Sequence, residues 1–327
     1  MRRISLAIAA AAGVAIASPA SAALLLFKTY TGNIGVSTSG AGSTGGSYSF
    51  SNNNIPAGAV VREAFLYSAG YNFGSAGFVD GVTLEGNPII WGPRKTNGTA
   101  CCDLYSVRAD VTSIVKPIVD GGPGGSYTFN ITESVSGGSQ GADGTVLVIV
   151  YDLASAPLQT VAILDGWASV TGDTATVLFG APFDPSAAGA FFEMRLGINF
   201  SCCSQRSEVW VNGNLMTENA GNNDDGIGSL SNGQLITIGD DLDPFSPMLP
   251  SYADDSERYN LLPFIMMGDT SLTIRTSNAS ADDNIFLAIF NFSGEGRVID
   301  PTPAPGMLAM FGLGLAGLGL ARRRRIA

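Results

Sequence analysis

Between residues 60 and 292 the chain is a succession of short apolar or alternating runs, each closed by Gly, Asn, Asp or Pro. The runs are rich in Val, Ile, Thr, Phe and Tyr, and most are too short for helices, so they predict strands. Expected strands are 60–68, 77–84, 126–133, 145–151, 159–164, 175–179, 191–198, 208–211, 234–238, 271–276 and 284–292. Val146–Tyr151 and Ile285–Phe290 are nearly unbroken apolar runs, the pattern of a strand covered on both faces. Thr128–Thr132 alternates, the pattern of a strand covered on one face. One short helix is expected, with Asp110 as N-cap, Val111–Lys116 as its body and Pro117 as its stop. Many strands at short spacing with glycine-rich turns predict an all-β body, a sandwich or jelly roll, over residues 55–298. Residues 23–54 are dominated by Gly, Ser, Thr and Asn and read as a lead-in or a thin edge hairpin. Residues 219–232 and 240–257 read as long loops, and no repeat of fixed period is visible.

The two ends follow other rules. Arg2 and Arg3 precede an apolar, alanine-rich stretch from Ile4 to Ala17, and Ala20-Ser21-Ala22 places small residues at a cleavage site. That is the build of a signal peptide over residues 1–22, cut after Ala22 by signal peptidase. At the far end, residues 299–327 combine a proline joint, an apolar segment over 306–321 and Arg322, Arg323, Arg324 and Arg325. Sixteen helical residues span about 24 Å, slightly less than a bilayer core, and flanking arginines can make up the difference. The arginines should stay cytoplasmic, which places the body outside. The expected fold is thus an all-β body between an N-terminal signal helix and a C-terminal transmembrane helix.

Pro301-Thr302-Pro303-Ala304-Pro305-Gly306, the apolar segment and the arginine cluster together resemble the PEP-CTERM sorting signal of Gram-negative, often biofilm-forming, bacteria. The resemblance covers about the last twenty-seven residues. Thr302 or Ala304 stands where that family has its central glutamate. The resemblance implies recognition by an exosortase-type membrane protease, a brief stay in the inner membrane with the body periplasmic, then release to the cell surface or the extracellular space. The body itself resembles uncharacterised secreted β-sandwich modules of microbial surface proteins, on Ala64–Gly70, Ala109-Asp110-Val111-Thr112, and Val148–Tyr151 followed by Asp165-Gly166.

Charge narrows the partners. All 28 acidic residues lie within residues 23–300, with 11 of the 17 basic ones, so this mature stretch carries 11 − 28 = −17. Such a surface repels nucleic acid, and acidic polysaccharide too unless divalent cations intervene. The four cysteines form two adjacent pairs, Cys101-Cys102 and Cys202-Cys203. In an exported chain they should be oxidised, and neighbours in sequence bond to each other poorly, so a double staple between the pairs is expected. Three connectivities stay open. A four-thiolate zinc site is the rival, although C-C spacing suits zinc badly.

With no histidine in the chain, Ser-His-Asp, Cys-His and histidine–zinc chemistry are excluded. Paired carboxylates or a Ser-Lys dyad remain. Glu133, Asp152, Glu193 and Glu208 lie on or beside expected strands and are candidates for a two-carboxylate glycosidase. Asp224, Asp225, Asp240, Asp241, Asp243, Asp254 and Asp255 form acidic loop clusters, with Asp282-Asp283 a further one, and could supply oxygens to calcium. Turn chemistry explains the same clusters without a metal. Trp91, Trp167 and Trp210, with Tyr71 and Phe73, could form a sugar-stacking platform or simply pack in the core. The leading expectation is an exported surface or matrix protein of structural or adhesive role, touching extracellular polysaccharide and needing no catalytic residue or cofactor. A carbohydrate-active enzyme and a calcium-dependent carbohydrate-binding module are the alternatives.

Overall fold

The computed structural model describes residues 24–43, 45–70, 81–96, 104–133, 142–169, 172–199, 207–220, 235–245, 257–278 and 285–299. The signal segment with Ala20 and Ala22, the tail from Pro301 to Arg325, all four cysteines, Tyr71, Phe73, Asp224, Asp225, Asp254, Asp255, Asp282 and Asp283 lie outside them. No described helix is long and apolar enough to cross a membrane.

The described chain is mostly strand, with one short α-helix. In order the strands are β1 (Leu25–Gly42), β2 (Gly46–Ile55), β3 (Val60–Gly70), β4 (Val82–Leu84), β5 (Asn87–Pro88), β6 (Lys95–Thr96) and β7 (Tyr105–Asp110). Helix α1 (Thr112–Val119) follows, then β8 (Gly125–Glu133), β9 (Ala142–Asp152), β10 (Leu158–Asp165), β11 (Thr174–Phe183), β12 (Phe192–Ile198), β13 (Ser207–Val211) and β14 (Asn214–Ala220). Last come β15 (Thr237–Ile238), β16 (Arg258–Asn260), β17 (Asp269–Asn278), β18 (Ile285–Ser293) and β19 (Gly296–Ile299). All pairings are antiparallel.

Three sheets form. A ten-stranded sheet runs β15-β12-β18-β10-β1-β9-β3-β7-β6, with β16 also on β12. A four-stranded sheet, β2-β8-β4-β5, packs on the β9-β3-β7 half through Phe50, Phe129, Ile131, Leu147 and Ile149. A five-stranded sheet, β14-β13-β17-β11-β19, packs on the β10-β18-β12 half through Val177, Val209, Leu272, Phe290 and Phe292. The opposite faces of the two halves share a third cluster, in which Val146, Val148 and Val150 join Val161, Ile163, Phe286 and Ile289. The molecule is therefore two sandwiches back to back, with a buried middle. This explains the unbroken apolar runs in β9 and β18: even residues of β9 face the middle and odd ones face the first sandwich. Each large side chain so buried contributes roughly 1.5–3 kcal/mol. Phe192 and Phe292 stack at 4.9 Å in the second sandwich and add to that.

Two expectations are corrected. Residues 25–42 are no lead-in or edge hairpin. They form the longest strand, whose first half pairs with β10 and second half with β9, so β1 joins the two halves of the large sheet. The pairing hands over beside Gly32, at φ +151°, a conformation that strains any other residue. Helix α1 starts at Thr112, not at Val111, and runs through Pro117 to Val119. Val111 occupies the cap position, while the Asp110 carboxylate accepts from the Thr112 N–H at 2.9 Å. Proline in a final turn removes one backbone bond, which burial of Val115 and Val119 offsets.

Candidate functional site

Two buried polar clusters stand out in this apolar frame. The first lies at one end of the first sandwich. Along β8, Tyr127, Phe129, Ile131 and Glu133 are buried at every second position, so the inward stripe ends in a carboxyl. On β9 the stripe Tyr151, Ile149, Leu147 and Thr145 leads to Asp143 at the same end. Tyr48 of β2 donates its hydroxyl to Glu133 Oε1 at 2.6 Å and shares a 3.0 Å bond with the Thr145 hydroxyl. Asn199, which follows β12, donates Nδ2 to Asp143 Oδ2 at 3.1 Å. The Asp143 carbonyl accepts from the Ser43 and Ile236 amides, both at 3.1 Å. Glu133 and Asp143 are each 2% exposed and Asn199 0%.

Burial dominates the titration here. It pushes the Glu133 carboxyl up to about 7, against the Tyr48 bond and, less strongly, the nearby Ser43 hydroxyl. Burial also raises Asp143 well above the carboxylate range; the Asn199 bond opposes the shift and the Glu133 charge adds a smaller rise. The Tyr48 hydroxyl is raised by burial and then by Glu133. Among the described residues neither acid pairs with a lysine or arginine. Burial thus favours the neutral form of both neighbouring acids.

The second cluster is an ion-pair network centred on Arg195 in β12. Arg195 Nη1 pairs with an Asp241 oxygen, and Nη2 with Glu193 Oε1 at 3.0 Å. Arg258 pairs with the same Glu193 oxygen and donates to the Asp241 carbonyl at 3.0 Å. The loop carrying Asp240–Asp243 fastens onto β1 and β2. Asp241 accepts from the Ser37 hydroxyl, the Thr38 N–H and the Asn53 N–H, and Asp240 accepts from Ser39 at 2.7 Å. Burial opposes the Arg195 charge, but Glu193 and Asp241 outweigh it, so its pKa lies above the usual value.

The sequence candidates divide accordingly. Asp152 pairs with Arg62, Glu193 with Arg195 and Arg258, and Glu208 accepts from the Trp210 indole at 3.1 Å. The four proposed glycosidase acids thus lie with separate partners, and the acid beside Glu133 is Asp143. Asp143 sits in a Gly-Ala-Asp-Gly stretch that reads as a turn. Its period-two spacing from Thr145, Leu147 and Ile149 is the signal that would have found it. Asp240, Asp241 and Asp243 serve the Arg195 network: the Asp243 carboxylate accepts from the Asp240 N–H at 2.7 Å. Among the described residues no three of His, Cys, Asp and Glu are grouped as a metal would need. The sugar platform is not assembled from the described tryptophans. Trp91 packs on the first sandwich core, Trp167 is buried in the middle layer, and Trp210 lies on the second sandwich under Arg275 at 4.9 Å.

No family model matches the chain, and no curated protein does. A solved structure titled recombinant peptide: N-glycanase F (PNGase F) aligns with 83% of this chain and all of its own, at 9% identity and a TM-score of 0.26. A likeness at that score bears on neither the fold nor the activity of this chain.

Proposed function

We propose that the chain is an exported protein of the cell surface or extracellular matrix, with a structural or adhesive role. The supporting observation is how its polar residues are used. The strand β1 runs through both halves of the large sheet, and its hydroxyls hold the Asp240–Asp243 loop, so two sandwiches form one stiff body. Asp152, Glu193, Glu208, Asp240 and Asp241 are all engaged with protein partners. The signal segment and the PEP-CTERM-like tail supply the route. Replacing Arg322–Arg325 with neutral residues tests the route: the variant should stay cell-associated or misoriented, and undiminished surface delivery would contradict the proposal.

A second reading is a carbohydrate-active enzyme, whose candidate acids are Glu133 and Asp143, neighbours in one polar cluster with Tyr48, Thr145 and Asn199. Its test is release of sugar from a panel of polysaccharides and glycoproteins by the purified chain. E133Q and D143N should each abolish such release, and a chain without hydrolysis on any substrate would leave the surface role standing alone.

A further inference from the structure

At this end of the first sandwich two buried side-chain oxygens are met by no described hydrogen-bond partner. The Tyr48 proton is used on Glu133 Oε1, and the Asn199 amide hydrogen on Asp143 Oδ2. Among the described residues Glu133 Oε2 and Asn199 Oδ1 have no hydrogen-bond partner, and both side chains are more than nine-tenths buried. An orphaned buried acceptor costs roughly 1–3 kcal/mol, and here two of them sit in one acid-bearing cluster. Asn199 touches Asp143 through its own amide group, so its free oxygen belongs to the same site.

We propose that Glu133, Asp143 and Asn199 form a buried calcium site. Hard, strongly oxygen-seeking cations fit this donor set: two carboxyls and an amide carbonyl, with waters completing the six to eight oxygens calcium takes. A bound dication ionises both acids and satisfies both orphaned oxygens at once. It also ties three elements together. Glu133 ends β8 in the four-stranded sheet, Asp143 lies in β9, and Asn199 follows β12 in the other half of the large sheet. The cation therefore pins one sandwich to the other at this end. The site is separate from the acidic loop clusters and does not depend on the surface role.

The test uses the purified chain freed of metal by a chelator. Calcium in about 100-fold excess over its Kd should raise Tm by about 5 °C. Terbium, standing in for calcium, should luminesce on excitation of the protein's aromatic side chains, since Tyr48 touches Glu133. E133Q and D143N should weaken both responses at least about tenfold, as losses of ligand oxygens do. Gln at 133 imitates the neutral acid, so E133Q should melt in chelator no lower than the wild type. Asn199→Asp adds a third carboxylate and should tighten calcium binding. A wild type indifferent to calcium, variants that bind as the wild type does, or N199D with unchanged or weaker binding would each overturn the site.

Discussion

Arg195 and Asp241 form an ion pair with both side chains buried, between a strand of the second sandwich and a loop that grips β1 and β2. Removing one member of such a pair leaves the other charge uncompensated. D241A should lower unfolding free energy by about 3–5 kcal/mol in a urea titration. The loss includes the orphaned Ser37, Thr38 and Asn53 donors. The double variant R195M/D241L should recover much of it, since an apolar pair replaces a buried ionic one at little net cost. A D241A variant as stable as the wild type would show that the network holds nothing.

Glu133 makes stability depend on pH in a direction opposite to that of a salt-bridged acid. Its folded pKa, about 7, lies above its ordinary value, so the folded state holds a proton that the unfolded state has released. Without divalent cations, its share of stability is complete below the ordinary carboxylate range. That share falls as pH rises towards 7 and levels off above it. Asp143 acts in the same direction. The steepest slope from one such group is about 1.4 kcal/mol per pH unit. Chemical denaturation from pH 4 to 8 should show this fall in the wild type, and E133Q should make it shallower, leaving the Asp143 share.

Gly144→Ala should unfold the edge where β1 meets β9. Gly144 has φ +119°, and an added Cβ would lie 2.1 Å from the Ala41 carbonyl oxygen, a backbone atom that cannot step aside. Strain and overpacking together should cost about 3 kcal/mol or more. Gly189→Ala, also at positive φ but with open space around it, should cost clearly less. Equal losses of Tm in the two variants would contradict this packing.

Strands covered on both faces were legible, because burial there writes itself as apolar runs: β9 and β18 are the clearest cases. β1 was not legible. Its Gly, Ser and Thr look like a linker, yet Ser37, Thr38 and Ser39 are partners of a loop about 200 residues downstream, which local pattern cannot show. Carboxylates were hardest. Glu193 and Asp241 sit among apolar neighbours because arginines from other elements meet them, and only the fold brings those arginines in. Glu133 was selected for its strand, but its companion Asp143 was hidden in turn-like sequence beside Gly144.

Export is the claim on which the proposed role rests, and intact mass spectrometry of the protein recovered outside the cell tests it most directly. The predicted species begins at Ala23, ends near the prolines at 301–305 and has four cysteines that resist alkylation until reduced. A full-length product found only within the cytosol, with four free thiols, would contradict it.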